Sequence, residues 1–260
     1  MKLEKKLIRL IKKFDLEKYE SEILSLSKKT IIFIKDKKDD YSEIGNTRFG
    51  GYPDVINKFL WPKNKEGKYY TFLCQINLNE LSKYESKLPK KGTLYFFYGS
   101  NLNTNAKYSS KNKVNLKKHN EIKIDEFFEE YENEPYRVIS KQILTLPEKI
   151  LEIFEKSKLN EVEDINFYVK YNELKDKLDR INGSYLASML GYLPIFEYEI
   201  RDHSYSYEQK FKNEPIILYL SSDFDIGFCF NDYGILALRI KEIDLNKKKF
   251  SSVLLSGCSS

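Results

Sequence analysis

Two stretches of this chain carry the same succession of parts. The first runs Gly51-Tyr52-Pro53, then Phe72-Leu73-Cys74-Gln75-Ile76, then Gly92-Thr93-Leu94-Tyr95-Phe96. The second runs Gly191-Tyr192-Leu193-Pro194, then Ile217-Leu218-Tyr219-Leu220, then Gly234-Ile235-Leu236-Ala237-Leu238. Each apolar run has the length and the aromatic or β-branched character of a buried strand, and each is preceded by a glycine or proline turn. A duplicated β unit would place two similar sheets around one core, with helices between the copies. Short Gly-plus-apolar patterns also recur by chance, so the order alone leaves duplication and coincidence both open.

The rest of the chain fills in around these units. Leu3, Leu7, Leu10, Ile11 and Phe14 are spaced for one helix over 2–14, and Tyr19, Ile23 and Leu26 for a second over 16–27, with Asp15 as its expected cap. Thr30 to Lys35 reads as a strand, and 78–84 as a short helix. Residues 99–120, rich in Asn, Ser and Lys, read as a long loop. Residues 134–146 read as extended, and 147–157 and 168–181 as helices, the last with Tyr171, Leu174, Leu178 and Ile181 inward. Further strands are expected at 215–220, 227–230, 235–240 and 250–255. The expected architecture is α+β and mainly antiparallel β. It has a helical segment at 1–29 and a domain over 30–257, built from units at 48–98 and 190–255 joined by a loop and helical connection at 99–189.

Charge excludes little by its total and more by its placement. The 44 Lys plus Arg against 39 Asp plus Glu leave +5 over 260 residues. Residues 101–120 hold five lysines and no acid, while 121–134 hold seven acids and one lysine. Adjacent opposite blocks do not form the basic stripe of a nucleic-acid binder, and no nucleic-acid partner is expected. Three cysteines, far apart and without C-x-x-C, fit a reducing compartment. The N-terminus is charged from Lys2 onward and no apolar run reaches a membrane span, so a cytoplasmic location and no membrane partner are expected.

Catalytic signatures are missing. There is no phosphate-loop, dinucleotide-binding, H-E-x-x-H or G-x-S-x-G motif. His119 and His203, the two histidines, cannot supply a three-histidine zinc site. Cys74 sits between apolar residues and reads as a core thiol. No catalytic residue, metal or cofactor is therefore expected. The candidate binding residues are Arg48, Trp61, Gln75, Asp223 and Asp232. Arg48 could meet a carboxylate or phosphate, and Trp61, the single tryptophan, could anchor a partner. Asp223 and Asp232 offer oxygen ligands or, more plainly, turn chemistry. The structural alternative has Arg48 paired with an internal acid and Trp61 closing the edge of the core. The stretch with Tyr198, Tyr205 and Tyr207 is a second candidate recognition surface.

The same residues carry a family resemblance. Phe49-Gly50-Gly51-Tyr52-Pro53, Trp61-Pro62, Leu73-Cys74-Gln75-Ile76-Asn77 and Gly92-Thr93-Leu94-Tyr95-Phe96-Phe97, with Leu190-Gly191-Tyr192 and Asp232-Tyr233-Gly234 later, resemble the YwqG-like family, a bacterial domain of unknown function. The resemblance spans about 30–257. It departs at Asp54-Val55-Ile56, where the family usually has a second proline. It departs again at Ile195-Phe196-Glu197, where a glutamine is usual, and at Leu218-Tyr219, where Leu-Gln is usual. The resemblance implies an α+β fold with an internal repeat, and a role as a toxin-immunity or other protein-binding module. The expected function is a non-enzymatic, immunity-type protein-interaction module, with another protein as its partner. The alternative is a small-molecule site or enzyme between the two β units, near Arg48, Gln75 and Asp223.

Overall fold

A computed structural model describes residues 2–56, 59–67, 69–99, 103–110, 116–118, 133–147, 161–192, 213–230 and 234–259. The elements are α1 (Lys2–Lys13), α2 (Glu20–Leu26), β1 (Lys28–Lys38), β2 (Arg48–Phe49), β3 (Asp54–Ile56), β4 (Thr71–Asn77), α3 (Leu78–Leu81), β5 (Thr93–Gly99), β6 (Asn103–Ser109), β7 (Leu116–Lys118) and β8 (Tyr136–Thr145). There follow α4 (Glu161–Asn182), β9 (Ala187–Met189), β10 (Ile216–Ser221), β11 (Ile235–Arg239), α5 (Glu242–Asn246) and β12 (Leu254–Ser259). The fold is α+β and mainly antiparallel β, as expected.

Ten strands form one sheet in the order β12-β11-β10-β9-β1-β8-β2-β4-β5-β6, and β3 pairs with β7 separately. The two β units are thus halves of a single sheet, which coils until its edge strands β6 and β12 come near each other. The order is a palindrome about the β1–β8 pair. Each half has the run β2-β4-β5-β6 or β9-β10-β11-β12. The strand that precedes each run in sequence is exchanged: β1 lies beside β9, and β8 beside β2.

Register supports the equivalence residue by residue. The pairing of β4 with β5 shifts between Phe72 and Cys74, and that of β10 with β11 shifts between Ile216 and Leu218. Each bulge turns two consecutive residues, Leu73-Cys74 and Ile217-Leu218, into the same core. Arg48 lies opposite Gln75, and Ser188 opposite Tyr219. The turns after β2 and β9 match as well. Gly50 has φ +73°, and Leu190 holds φ +66° at the same place. A Cβ on Gly50 would lie 2.2 Å from the Glu134 carbonyl oxygen, so this turn admits only glycine.

Alternation divides the side chains into layers. Leu94, Phe96 and Tyr98 of β5 join Leu218, Leu220, Leu236 and Leu238 in the interior, so both halves share one core. Tyr95 and Phe97 point the other way and pack with Val55, Trp61 and Phe72 in an outer layer. The matching layer on the second half is smaller: Ile216, Tyr219 and Ala237, with Tyr185 against them. The amphipathic helix α1 buries Leu7, Leu10 and Ile11 against α2, the end of β8, and Phe167, Tyr171, Leu174 and Leu178 of α4. At roughly 1.5–3 kcal/mol per fully buried large side chain, this second cluster fixes the helices to the sheet.

Several expectations are corrected. Residues 99–120 are not one loop, since they contain β6 and β7. The pattern is hidden because β6 is an edge strand: Ala106 and Tyr108 pack inward, and the intervening residues are polar. Residues 227–230 are not a strand but the close of a tight turn, in which Asp223 bridges Phe228. Residues 250–252 form a 3-10 turn, and the strand begins only at Leu254. Asp15 takes φ +52° and caps nothing, the N-cap of the next turn being Leu16. Ile181 is 36% exposed, not inward. The helix expected over 147–157 lies almost wholly outside the described residues.

Candidate functional site

Arg48 is carried by β2, the two-residue strand that joins β8 to β4. Its side chain is fully buried, and its donors are engaged from every direction. Nε donates to Asp39 Oδ2 at 2.6 Å, and Nη1 to the Tyr52 carbonyl at 2.8 Å. Nη2 donates to Asn46 Oδ1 at 3.2 Å and to Asp54 Oδ2 at 3.1 Å. The Tyr41 ring covers the guanidinium at 4.3 Å. Gln75, also fully buried, donates to Asp54 Oδ2 and to the Asn46 carbonyl, and accepts from the Asp54 backbone N–H. Two buried carboxylates around one guanidinium leave a net negative charge, which Arg137 offsets from the rim, 3.4 Å from Asp39. Burial by itself would raise the Asp39 carboxyl, but hydrogen bonds from Arg48 and Asn46 and the Arg48 charge bring it below the usual carboxylate range.

The structure thus brings Arg48 and Gln75 together through Asp54, and turns both inward to protein partners. Trp61 lies in the adjoining outer layer. It is 7% exposed, packs edge-on to Phe97 at 5.3 Å, and donates its indole N–H to the Tyr70 carbonyl at 2.8 Å. This is the structural alternative for both residues: Arg48 pairs with internal acids, and Trp61 closes the core edge. Asp223 is elsewhere. It organises its own turn by accepting from Ile226 N–H, and it holds Lys35 Nζ at 2.7 Å, with Asp225 on the other side at 2.6 Å. Asp232, His119, His203, Tyr198, Tyr205 and Tyr207 lie outside the described residues. Cys74 is fully buried, and burial pushes its thiol well up, which leaves it an unreactive core residue. Among the described residues no cluster of three or more His, Cys, Asp or Glu could hold a metal ion.

Sequence reasoning selected Arg48 and Gln75 but missed Asp39, Asn46 and Asp54, which complete the network. The available signal was the departure Asp54-Val55-Ile56, where an acid follows the Gly-Gly turn. The departure at Leu218-Tyr219 gains a meaning too. Position 219, where the resemblance expects glutamine, is the register equivalent of Gln75. The second half holds tyrosine there, opposite a serine.

Among the described residues, two surface features are open to a ligand or partner. One is a cleft of about 890 Å³ at the end of the sheet, lined from both halves by residues including Leu26, Lys28, Glu85, Tyr192, Arg239 and Glu242. Several of its charges are engaged within it: Lys29 pairs with Glu85 at 2.6 Å and Lys87 with Glu242, and Lys28 lies over the Tyr192 ring at 3.6 Å. None of Arg48, Gln75 and Asp223 lines it. The other is the rim of the outer aromatic layer, where Leu60 is 78% exposed beside the partly buried Phe59. No described helix is long and apolar enough to cross a membrane.

No curated protein matches the chain significantly. A family model described as a domain of unknown function (DUF1963) matches residues 47–257, which run from β2 into β12 and carry Arg48, Asp54 and Gln75 but not Asp39 or Asn46, and the chain belongs to that family.

Proposed function

We propose that this YwqG-like chain is a non-enzymatic cytoplasmic protein-interaction module of the immunity type. Residues 30–257 act as the binding domain, and 1–29 as a helical segment packed on it. One observation carries the reading. The groups best able to grip a small ligand, Arg48 and Gln75, are bonded to Asp39, Asn46 and Asp54, whereas Leu60 stands 78% exposed at the rim of an aromatic layer. An exposed apolar side chain backed by a rigid aromatic layer suits a protein surface better than a soluble metabolite. Affinity capture from the source cells, followed by calorimetry with the purified partner, tests it. A partner that binds stoichiometrically and neutralises a toxic activity on co-expression is the expected result. No reproducible partner across several growth conditions refutes it.

A second reading rests on the cleft between the halves, which has the volume of a small-molecule site. In that case Tyr192 and Arg239, and not Arg48, Gln75 or Asp223, would contact the ligand. A metabolite that raises the unfolding midpoint of the wild type and not of Tyr192→Ala would favour this reading.

A further inference from the structure

The outer aromatic layer of the first half ends in two lysines that have rings beside them and, among the described residues, no carboxylate partner. Lys107 of β6 stands opposite Tyr95 of β5, with Nζ 5.5 Å from the centre of the Phe59 ring. Burial lowers its pKa, and no acid among the described residues offsets the shift. Lys63 lies in the same loop as Leu60, with Nζ 4.2 Å from the Tyr69 ring. Among the described residues neither lysine has a salt-bridge partner. Phe59 lies 5.2 Å from Tyr95 and 6.2 Å from Phe97, and Phe97 lies 5.3 Å from Trp61, so one continuous layer supports the face. Leu60 projects from it.

For Lys107, a partly desolvated ammonium without a counter-charge among the described residues is unfavourable in the free protein, and a carboxylate from outside relieves that cost, while the exposed Lys63 adds a second positive charge to the same face. Resting on the protein-interaction reading above, we propose that this face docks an acidic segment of a partner protein. Carboxylates of that segment pair with Lys107 and Lys63, and an apolar side chain between them covers Leu60. A single-stranded nucleic acid fits the same charge but needs free ring faces on which bases stack. Here Lys107 lies over Phe59 and Lys63 over Tyr69, so those faces are taken.

The test uses the full chain and a fluorescein-labelled peptide of alternating glutamate and leucine. Its anisotropy reports binding, and Trp61 emission gives a second readout from the layer beneath. Saturable binding is expected, weakened about tenfold or more by Lys107→Glu and by Leu60→Asp, several-fold by Lys107→Gln, and also by added salt. Lys12→Glu on α1 changes the net charge equally and is expected to leave affinity unchanged. Lys107→Gln keeps the side-chain bulk, so it remains informative should a charge reversal fail to fold. The proposal is overturned by peptide binding indifferent to Lys107→Gln and Leu60→Asp. Absence of binding at millimolar peptide, or tighter binding of an oligothymidylate of equal charge, overturns it too. If the captured natural partner binds Lys107→Glu as tightly as wild type, this face is wrong while the protein-interaction reading stands.

Discussion

In the first half of the sheet, β2 sets Arg48 opposite Gln75 on β4. In the second half, β9 sets Ser188 opposite Tyr219 on β10. The backbones repeat down to the bulge, yet the first outer face is held by a buried ionic network and the second by Ile216, Tyr219 and Ala237. Backbone pairing is fixed by the shared interior, because moving a strand by one residue would turn its core side chains outward. The outer faces carry no such constraint on each other. Each can fill with whatever covers it, and the two have diverged there.

The sharpest way to break this comparison is to remove the guanidinium. Arg48→Met leaves Asp54 buried without its counter-charge and Asp39 with only Arg137 at the rim, and is expected to lower stability by about 3–5 kcal/mol. Ser188→Ala, at the matching position, is expected to cost under about 1 kcal/mol. Urea denaturation of both variants measures the difference, and equal losses would mean that the two faces do the same work. The turns come next. Gly50→Ala meets both a positive φ and the Glu134 carbonyl, and should cost about 2–3 kcal/mol. Leu190→Gly should cost under about 1 kcal/mol, because relief of left-handed strain offsets lost packing.

Acid titration sharpens the comparison further. Asp39 is held below its ordinary value, so its contribution is complete above the unfolded pKa of about 4. It is lost as pH falls through the lower folded value. The urea midpoint should therefore be level above about pH 4.5 and decline below pH 4, and Arg48→Met should decline less steeply. The smallest effect is at the surface tie between β1 and the turn after β10. Lys35→Ala breaks the pairs with Asp223 and Asp225 and should cost under about 1 kcal/mol, shrinking with added salt.

The strands that line the interior were legible because their apolar runs are dense and their turns are marked by Gly and Pro. Phe72 to Ile76 and Ile235 to Leu238 need no tertiary information. β6 was not legible, since an edge strand with Asn, Thr, Lys and Ser reads as loop until Ala106 and Tyr108 are seen to face the core. Nor was the turn at 223–228, where Phe228 and Phe230 look like a strand but are buried by a hairpin bend. At the site, Arg48 and Gln75 stood out by residue type. Asp39 and Asp54 did not, because their role depends on which loops meet, and local spacing does not encode that.

The exchange of β1 and β8 also governs the order in which this protein can be made. β1 emerges from the ribosome well before its two neighbours, β8 and β9. At about 5–20 residues per second, the strand must wait roughly 10–30 s for residue 189 before both of its edges are covered. Until then Ile31, Ile32 and Phe33 belong to a nascent chain whose apolar strand keeps at least one edge unpaired, even after β8 has formed. A truncated product ending before β9 would leave one edge of that strand open permanently, and the cell would meet it as an aggregation seed and not as half a protein.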